Sequence, residues 1–253
     1  MQSDEPKTTQ NKLSGAESQG DLSRQPPGLK LNLGCGFDIR SGYVNIDAND
    51  EHHPDLVSDV ANLSALADSV ASEALAQDVL EHLPRAKAST ALREWNRVLQ
   101  PSGTLILRLP SIVHLLRLLE DKRYQDVATQ QRLIQCMYGT QGYDGDFHLN
   151  GFTEVTLRHH LTEAGFSVTS LKIVDDWMFE VHAQKVQHVV PDPMLRLPTD
   201  KEFLHAIYKS FFQRSVDPDG ESYYLKVMAG GIVREAVLEA LKNSEEYQIL
   251  HQT

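Results

Sequence analysis

Leu29, Leu31 and Leu33 recur at every second position and run into Gly34-Cys35-Gly36. That pattern predicts a buried strand entering a tight turn whose glycines let the backbone approach a ligand. Tyr43 to Asp47 alternates toward a carboxylate and reads as a second strand. Asp55 to Val60 is a shorter apolar segment, followed by helical spacing at Leu63, Leu66 and Val70. From Ala74 a further buried strand leads into the polar knot Gln77-Asp78-Val79-Leu80-Glu81-His82. Ala91, Leu92, Trp95, Val98 and Leu99 fall on one helical face, and Pro101-Ser102-Gly103 ends that helix before a strand from Thr104 to Leu109. Strands and helices alternating in this way predict a mainly parallel sheet covered on both faces, with a ligand at the carboxyl ends of its strands.

The alternation breaks over residues 111–152, where Leu115, Leu116, Leu118 and Leu119, then Leu133, Ile134, Met137 and Tyr138, predict helices that roof the site. A flexible loop follows, Gly139 to His148, carrying Tyr143, Asp144, Asp146 and His148. Thr153 is placed to cap a helix that ends at Gly165, and two closing strands are expected over 170–174 and 178–183. Pro191, Pro193 and Pro198 mark a linker over 187–200. Beyond it three apolar stripes, beginning at Phe203, Tyr223 and Val233, predict a small all-helical unit over 201–253. Asp217-Pro218-Asp219-Gly220 invites a calcium-loop reading, but the twelfth position is Met228 where a bidentate Glu is needed, which favours a tight turn and helix start.

Composition narrows the function classes. The chain has 253 residues and a formal charge of −11, with no basic cluster to hold phosphate backbones, which disfavours nucleic acid as a partner. Residues 1–28 are polar and contain almost nothing that could be buried, so a disordered tail is expected there. Two cysteines are too few for a disulfide framework and compatible with a reducing compartment. With no apolar run near the ~18 residues of a membrane span and no signal-peptide pattern, a cytoplasmic protein is expected.

Asp47, at the tip of the second strand, suits both ribose hydroxyls of a nucleoside lying across the glycine loop, or else caps a turn. Asp59 either faces an adenine amino group or caps the following turn. A dinucleotide fingerprint needs a third glycine where Ile39 stands, which counts against an oxidoreductase. In the later loop His148, with Asp146 as its partner, is a candidate general base for a hydroxyl acceptor, the alternative being a histidine that only orders its loop. Oxygen and imidazole groups at Asp144, Asp146 and His148 match no specific metal spacing, and no metal is expected.

Taken in order, Leu31 to Gly36, Asp47, Asp59, Val79-Leu80-Glu81-His82-Leu83 and Arg97 to Gly103 resemble the successive motifs of class I S-adenosylmethionine-dependent methyltransferases. The likeness is to a small bacterial branch with a shortened first crossover, and covers 29–186. It implies an α/β fold with a Rossmann-like seven-stranded sheet, and S-adenosylmethionine as cofactor. It further implies that Asn32, Gly34, Cys35, Gly36, Asp47, Asp59, Asp78 and Val79 surround the cofactor. Asn32 stands where many members carry an acid, and Asp38 where a further glycine is common. The Glu81-His82 pair either lines the site or buttresses the sheet edge; His82, with Tyr138, Tyr143 and Asp144, makes up the expected substrate wall. Tyr208 to Arg214, Asp217 to Gly220, Tyr223-Tyr224 and Ser244 to Tyr247 resemble a helical domain of unknown function related to phycobilisome linker domains, found in bacterial surface proteins and enzymes of glycan assembly. Together these imply methyl transfer to an oxygen of a sugar or glycan-linked acceptor, with a protein partner for the helical unit. The other reading is a catalytically silent scaffold that acts through its helical unit.

Overall fold

The computed structural model describes residues 28–251 apart from Asp144, Val190, Pro191 and Pro198. The expected tail, but for Gly28, and the linker prolines Pro191 and Pro198 lie outside the described residues. Seven strands form one sheet in the order β3-β2-β1-β4-β5-β7-β6. They are β1 (Leu29–Leu33), β2 (Val44–Asp47), β3 (Leu56–Val57), β4 (Ala71–Gln77), β5 (Leu99–Pro110), β6 (Phe166–Val174) and β7 (Met178–Lys185). All neighbours pair in parallel except β7, which is antiparallel to both β5 and β6. This is the Rossmann-like methyltransferase sheet that the motif order implies. Leu31 and Leu33 are fully buried, facing Ala74 and Ala76 across the β1–β4 ladder.

Between β1 and β2 no helix forms, and a buried polar network holds the loop in its place. Asn32 Nδ2 donates to the Asp38 carbonyl (2.7 Å) and to Asn45 Oδ1 (3.0 Å). Asn45 Oδ1 also accepts from the Arg40 amide (2.8 Å), and Asp55 Oδ2 accepts from both the Asn45 amide and its side chain, each at 2.8 Å. Loop amides that a helix would have satisfied therefore find partners without water. An acid at position 32 would set a carboxylate against two acceptors, which explains the asparagine.

The helical spacing at Leu63, Leu66 and Val70 does not produce a helix. These side chains are buried; the Leu63 and Leu66 backbones bond to helix α1 (Arg85–Val98), and the Val70 carbonyl accepts from the Gly28 and Leu29 amides (3.0 and 3.2 Å). Arg97, 1% exposed, donates to the carbonyls of Leu66 (2.9 Å) and Leu63 (2.8 Å), to Asp68 (2.6 Å) and to both oxygens of buried Glu94 (3.0 Å each). The Leu63 amide donates to Glu94 Oε2 (3.0 Å), so the pair clamps the turn segment to α1. Trp95 adds a bond from its indole N–H to the Val60 carbonyl at 2.9 Å.

Helices α2 (Ile112–Glu120) and α3 (Val127–Tyr138) pack on each other, and α4 (Glu154–Glu163) opens with a capping box at Thr153. A second, separate core joins Phe203, Leu204, Ile207, Met228, Val237 and Leu241 from helices α5 (Asp200–Phe211), α6 (Pro218–Ala229) and α7 (Arg234–Lys242). Asp217 caps α6 by accepting from the Gly220 amide (2.8 Å), the turn and helix start expected there. The fourth helix, α8 (Glu245–His251), was not legible as an apolar stripe because it buries no residue. Helix α7 lies against α1, where Glu235 accepts from the Thr90 hydroxyl.

Arg97→Ala would leave Glu94 charged and unpaired in the core, and is expected to cost about 3–5 kcal/mol in urea unfolding of the full chain. Lys30→Ala, which breaks the exposed 3.3 Å pair with Glu73, should cost less than about 1 kcal/mol.

Candidate functional site

β1 is flanked by β2 on one side and β4 on the other, so the strand order reverses there and a crevice opens beyond the strand ends. A cleft of about 630 Å³ occupies that place, walled by Gly34, Gly36, Asp47, Asp59, Asp78 and Val79. Six of the eight cofactor residues expected from sequence are thus brought together. Gly34 has φ +62, and a Cβ there would stand 2.7 Å from a Val79 methyl, so the loop packs on the residue after β4 only as glycine. Gly36 has φ +50 with nothing within 4 Å of a Cβ position, and the positive φ is what demands glycine there.

Asp47 is oriented before any ligand arrives. Its Oδ2 accepts from the Gly36 amide (2.8 Å), its Oδ1 from the Asn49 amide (2.9 Å), and His52 Nδ1 lies 3.1 Å from Oδ1. Each carboxylate oxygen keeps acceptor capacity for a pair of vicinal hydroxyls. Asp59 caps the following turn, one of its two expected roles, by accepting from the Ala61 amide at Oδ1 (2.9 Å), while Oδ2 pairs with Lys87 Nζ (2.5 Å) at the cleft wall. Asp78 takes φ +53, a conformation that costs a non-glycine residue energy, and burial raises its carboxyl above the usual range.

Two expected cofactor residues stand elsewhere. Asn32 is 3% exposed, does not line the cleft, and its amide is committed to the loop network. Cys35 is 5% exposed and points away from the cleft lining; burial and the nearby Asp47 push its thiol up to about 11.

On the acceptor side, His82 and Tyr143 line the cleft, and Tyr138 is exposed outside it. Asp144 lies outside the described residues. The cleft is roofed by the loop after α3 and not by α2 and α3 themselves, which contribute none of its lining. His148 is half-buried and sets its ring edge-to-face on His82, centroids 4.7 Å apart. Burial, with His82 second, pushes the His148 imidazole below its ordinary range. Asp146 does not pair with it: its carboxylate accepts from the Thr140 hydroxyl, which holds its pKa low. The loop is anchored at several points. The His148 amide donates to the Tyr138 carbonyl (3.1 Å), and those of Leu149 and Asn150 donate to the Glu81 carbonyl (2.7 and 3.0 Å).

Sequence reasoning missed Ala48, Asn49, His52, Val60, Leu83, Lys87 and Gly145 in the lining. Glu81, expected beside His82 either to line the site or to buttress the sheet edge, is 2% exposed and absent from the cleft lining, with neither carboxylate oxygen bonded among the described residues. Burial raises its pKa to about 8.

Residues 31–107 match the family model of a methyltransferase domain. That segment begins in β1 and ends in β5, and holds all of the cleft lining except Tyr143 and Gly145. The cofactor of this methyltransferase domain is S-adenosylmethionine. Residues 196–251 match a domain of unknown function, DUF4214. Among solved structures, a possible exported protein from Bordetella parapertussis is 16% identical, over 66% of this chain and 64% of its own, with a TM-score of 0.47. A SAM-dependent methyltransferase from Methanosarcina mazei is 21% identical over 65% of this chain and 95% of its own, with a TM-score of 0.46. The 1,6-didemethyltoxoflavin-N1-methyltransferase of Burkholderia thailandensis, solved with S-adenosylhomocysteine, is 14% identical over 64% and 72%, with a TM-score of 0.43. No curated protein matches the chain in sequence. The fold assignment stands on this chain's own strand order.

Gly139 has φ +79, and a Cβ there would meet the Asp146 carbonyl oxygen at 1.8 Å. Gly139→Ala is therefore expected to unseat the 139–148 loop, read as faster proteolysis within it at a nearly unchanged melting temperature. Thiol labelling at mildly alkaline pH should modify Cys136, which is partly exposed, and spare Cys35 until the chain unfolds.

Proposed function

We propose that the chain transfers the methyl group of S-adenosylmethionine to an oxygen of a sugar or glycan-linked acceptor, with a cytoplasmic site of action. The observation that carries the transferase reading is Asp47, preset by the Gly36 and Asn49 amides at the mouth of a cleft beyond the β1 and β4 ends. Bound there, the cofactor supplies an electrophilic sulfonium methyl. Asp47 accepts from the two ribose hydroxyls. The Gly34–Gly36 turn lies against the methionine part, with Asp78 and Val79 opposite. Asp59 and Val60 border the adenine.

The acceptor enters beside Tyr143 and His82. Its hydroxyl must lose a proton as the methyl arrives, and His148, kept neutral at pH 7 by burial, takes it. The oxygen acceptor is supported by this imidazole, half-buried and packed on His82 of the cleft wall. The glycan assignment is supported by the likeness of the helical unit to domains found in glycan-assembly enzymes, and that unit is the surface for a protein partner.

Calorimetry of the full chain with S-adenosylmethionine should give saturable binding at one site per chain, weakened about 10-fold or more by Asp47→Ala, since buried hydrogen bonds to a charged group are worth about 1.5–3 kcal/mol. Absence of heat would remove the transferase reading and leave the scaffold one. With labelled cofactor, a panel of nucleotide sugars and glycans should yield a methylated product. His148→Ala should then lower kcat by about 10²–10⁴ while the cofactor heat stays unchanged.

A further inference from the structure

Glu81 is the least explained side chain in the methyltransferase domain. It is 2% exposed, and both carboxylate oxygens lack a hydrogen-bond partner among the described residues. A buried carboxylate in that condition forfeits the full cost of leaving water, so such groups are normally paired or bound to a cation. Beside it His82 also has a buried, unpartnered ring nitrogen, Nδ1. His148, brought in by the loop after α3, completes the group: one donor atom from each of Glu81, His82 and His148 lies within 4.8 Å of the other two.

We propose that Glu81, His82 and His148 form a binding site for one divalent transition-metal ion at the edge of the cofactor cleft. Two imidazoles and one carboxylate are a donor set suited to zinc and other late first-row ions, and they leave open positions for water or substrate. Donors around a tetrahedral zinc stand about 3.4 Å apart, given metal–ligand distances of ~2.0–2.1 Å.

Backbone bonds hold the ligand-bearing segments together. Glu81 and His82 belong to the 3₁₀ turn Leu80–His82 that follows β4. The Glu81 carbonyl itself receives the Leu149 and Asn150 amides (2.7 and 3.0 Å), which ties the segment bearing His148 to the segment bearing the other two ligands. Ligands distant in sequence are thus joined by backbone bonds that do not use the ligand atoms. Asp78, next to the cluster, adds negative charge on the cleft side.

His82 also walls the cofactor cleft, so the ion would sit where an acceptor hydroxyl enters. Metal binding there depends on nothing in the transferase reading. Its role in the reaction does rest on that reading: an ion bound by His148 would lower the pKa of a coordinated hydroxyl and so replace the free imidazole as the means of removing its proton.

Titration of the metal-free full chain with Co²⁺ should give visible d–d absorption of a low-coordinate site, saturating at one ion per chain and displaced by Zn²⁺. Glu81→Gln and His148→Ala should each weaken Co²⁺ binding by more than about 100-fold, beyond the 10–100-fold range of residues that only support a ligand. His159→Ala, an exposed histidine outside the cluster, should leave it unchanged. Circular dichroism and melting checks each variant's fold, and His148→Ala, on a partly exposed loop, serves if Glu81→Gln fails to fold. No saturable band in the folded wild-type chain, or a band that survives His148→Ala, would overturn the site. Calorimetry with S-adenosylmethionine in the presence of chelator separates this result from the transferase reading, because that heat needs no metal.

Discussion

The buried pair of Arg97 and Glu94 is the constraint on which the methyltransferase domain depends. Charges removed from water must be fully bonded, and here they are, through carbonyls and an amide of a segment with no secondary structure of its own. That segment runs from β3 to β4 and includes the stretch after Asp59. Clamping it to α1 holds Asp59 and Val60 in the cleft wall beside Lys87 of that helix. Glu94 lies 3.7 Å from Arg196 as well, at the start of the helical unit, so one buried acid touches both parts of the chain.

A second economy of the same kind shapes the near wall. The short connection from β1 to β2 has no helix to satisfy its amides, and Asn32, Asn45 and Asp55 do so instead. This network lies beneath the loop, on the side away from the cleft. Above it, Gly36 and Asp47 bond to each other, so the ligand-facing surface is fixed by groups that still have acceptor capacity left. Asn32 was expected at the cofactor, and the structure assigns it to the foundation.

The acceptor side is built differently. His148 comes from an insertion outside the alternating pattern, and is brought against His82 of the cleft wall where Gly139 lets the loop fold back and the Glu81 carbonyl catches its far end. Two histidines and a bare buried acid then meet at one point. Neighbouring Asp146, its carboxylate bonded to Thr140, plays no part there.

Periodicity and punctuation in the sequence determined the existence of the strands, α1 to α4 and the helical C-terminal unit, since alternation and capping act over a few residues, but β4, β5 and β6 begin at Ala71, Leu99 and Phe166, ahead of their expected starts, because pairing with neighbouring strands extends them through Pro101 and Gly103 in β5. The ordered motifs determined the sheet and the cofactor, with Asp47 and the glycines at its mouth. What the sequence could not determine is every contact that closes across distance. Leu63, Leu66 and Val70 carry helical spacing, yet form no helix because Arg97 claims the carbonyls of the first two and the Gly28 and Leu29 amides claim that of Val70. Lys87 and His52 reach the cleft from a helix face and a short turn that carry no signal. Glu81, His82 and His148 become one site only in the folded chain, because the bonds that join them span 68 and 69 residues, from the Leu149 and Asn150 amides to the Glu81 carbonyl, and local sequence carries no trace of such closure.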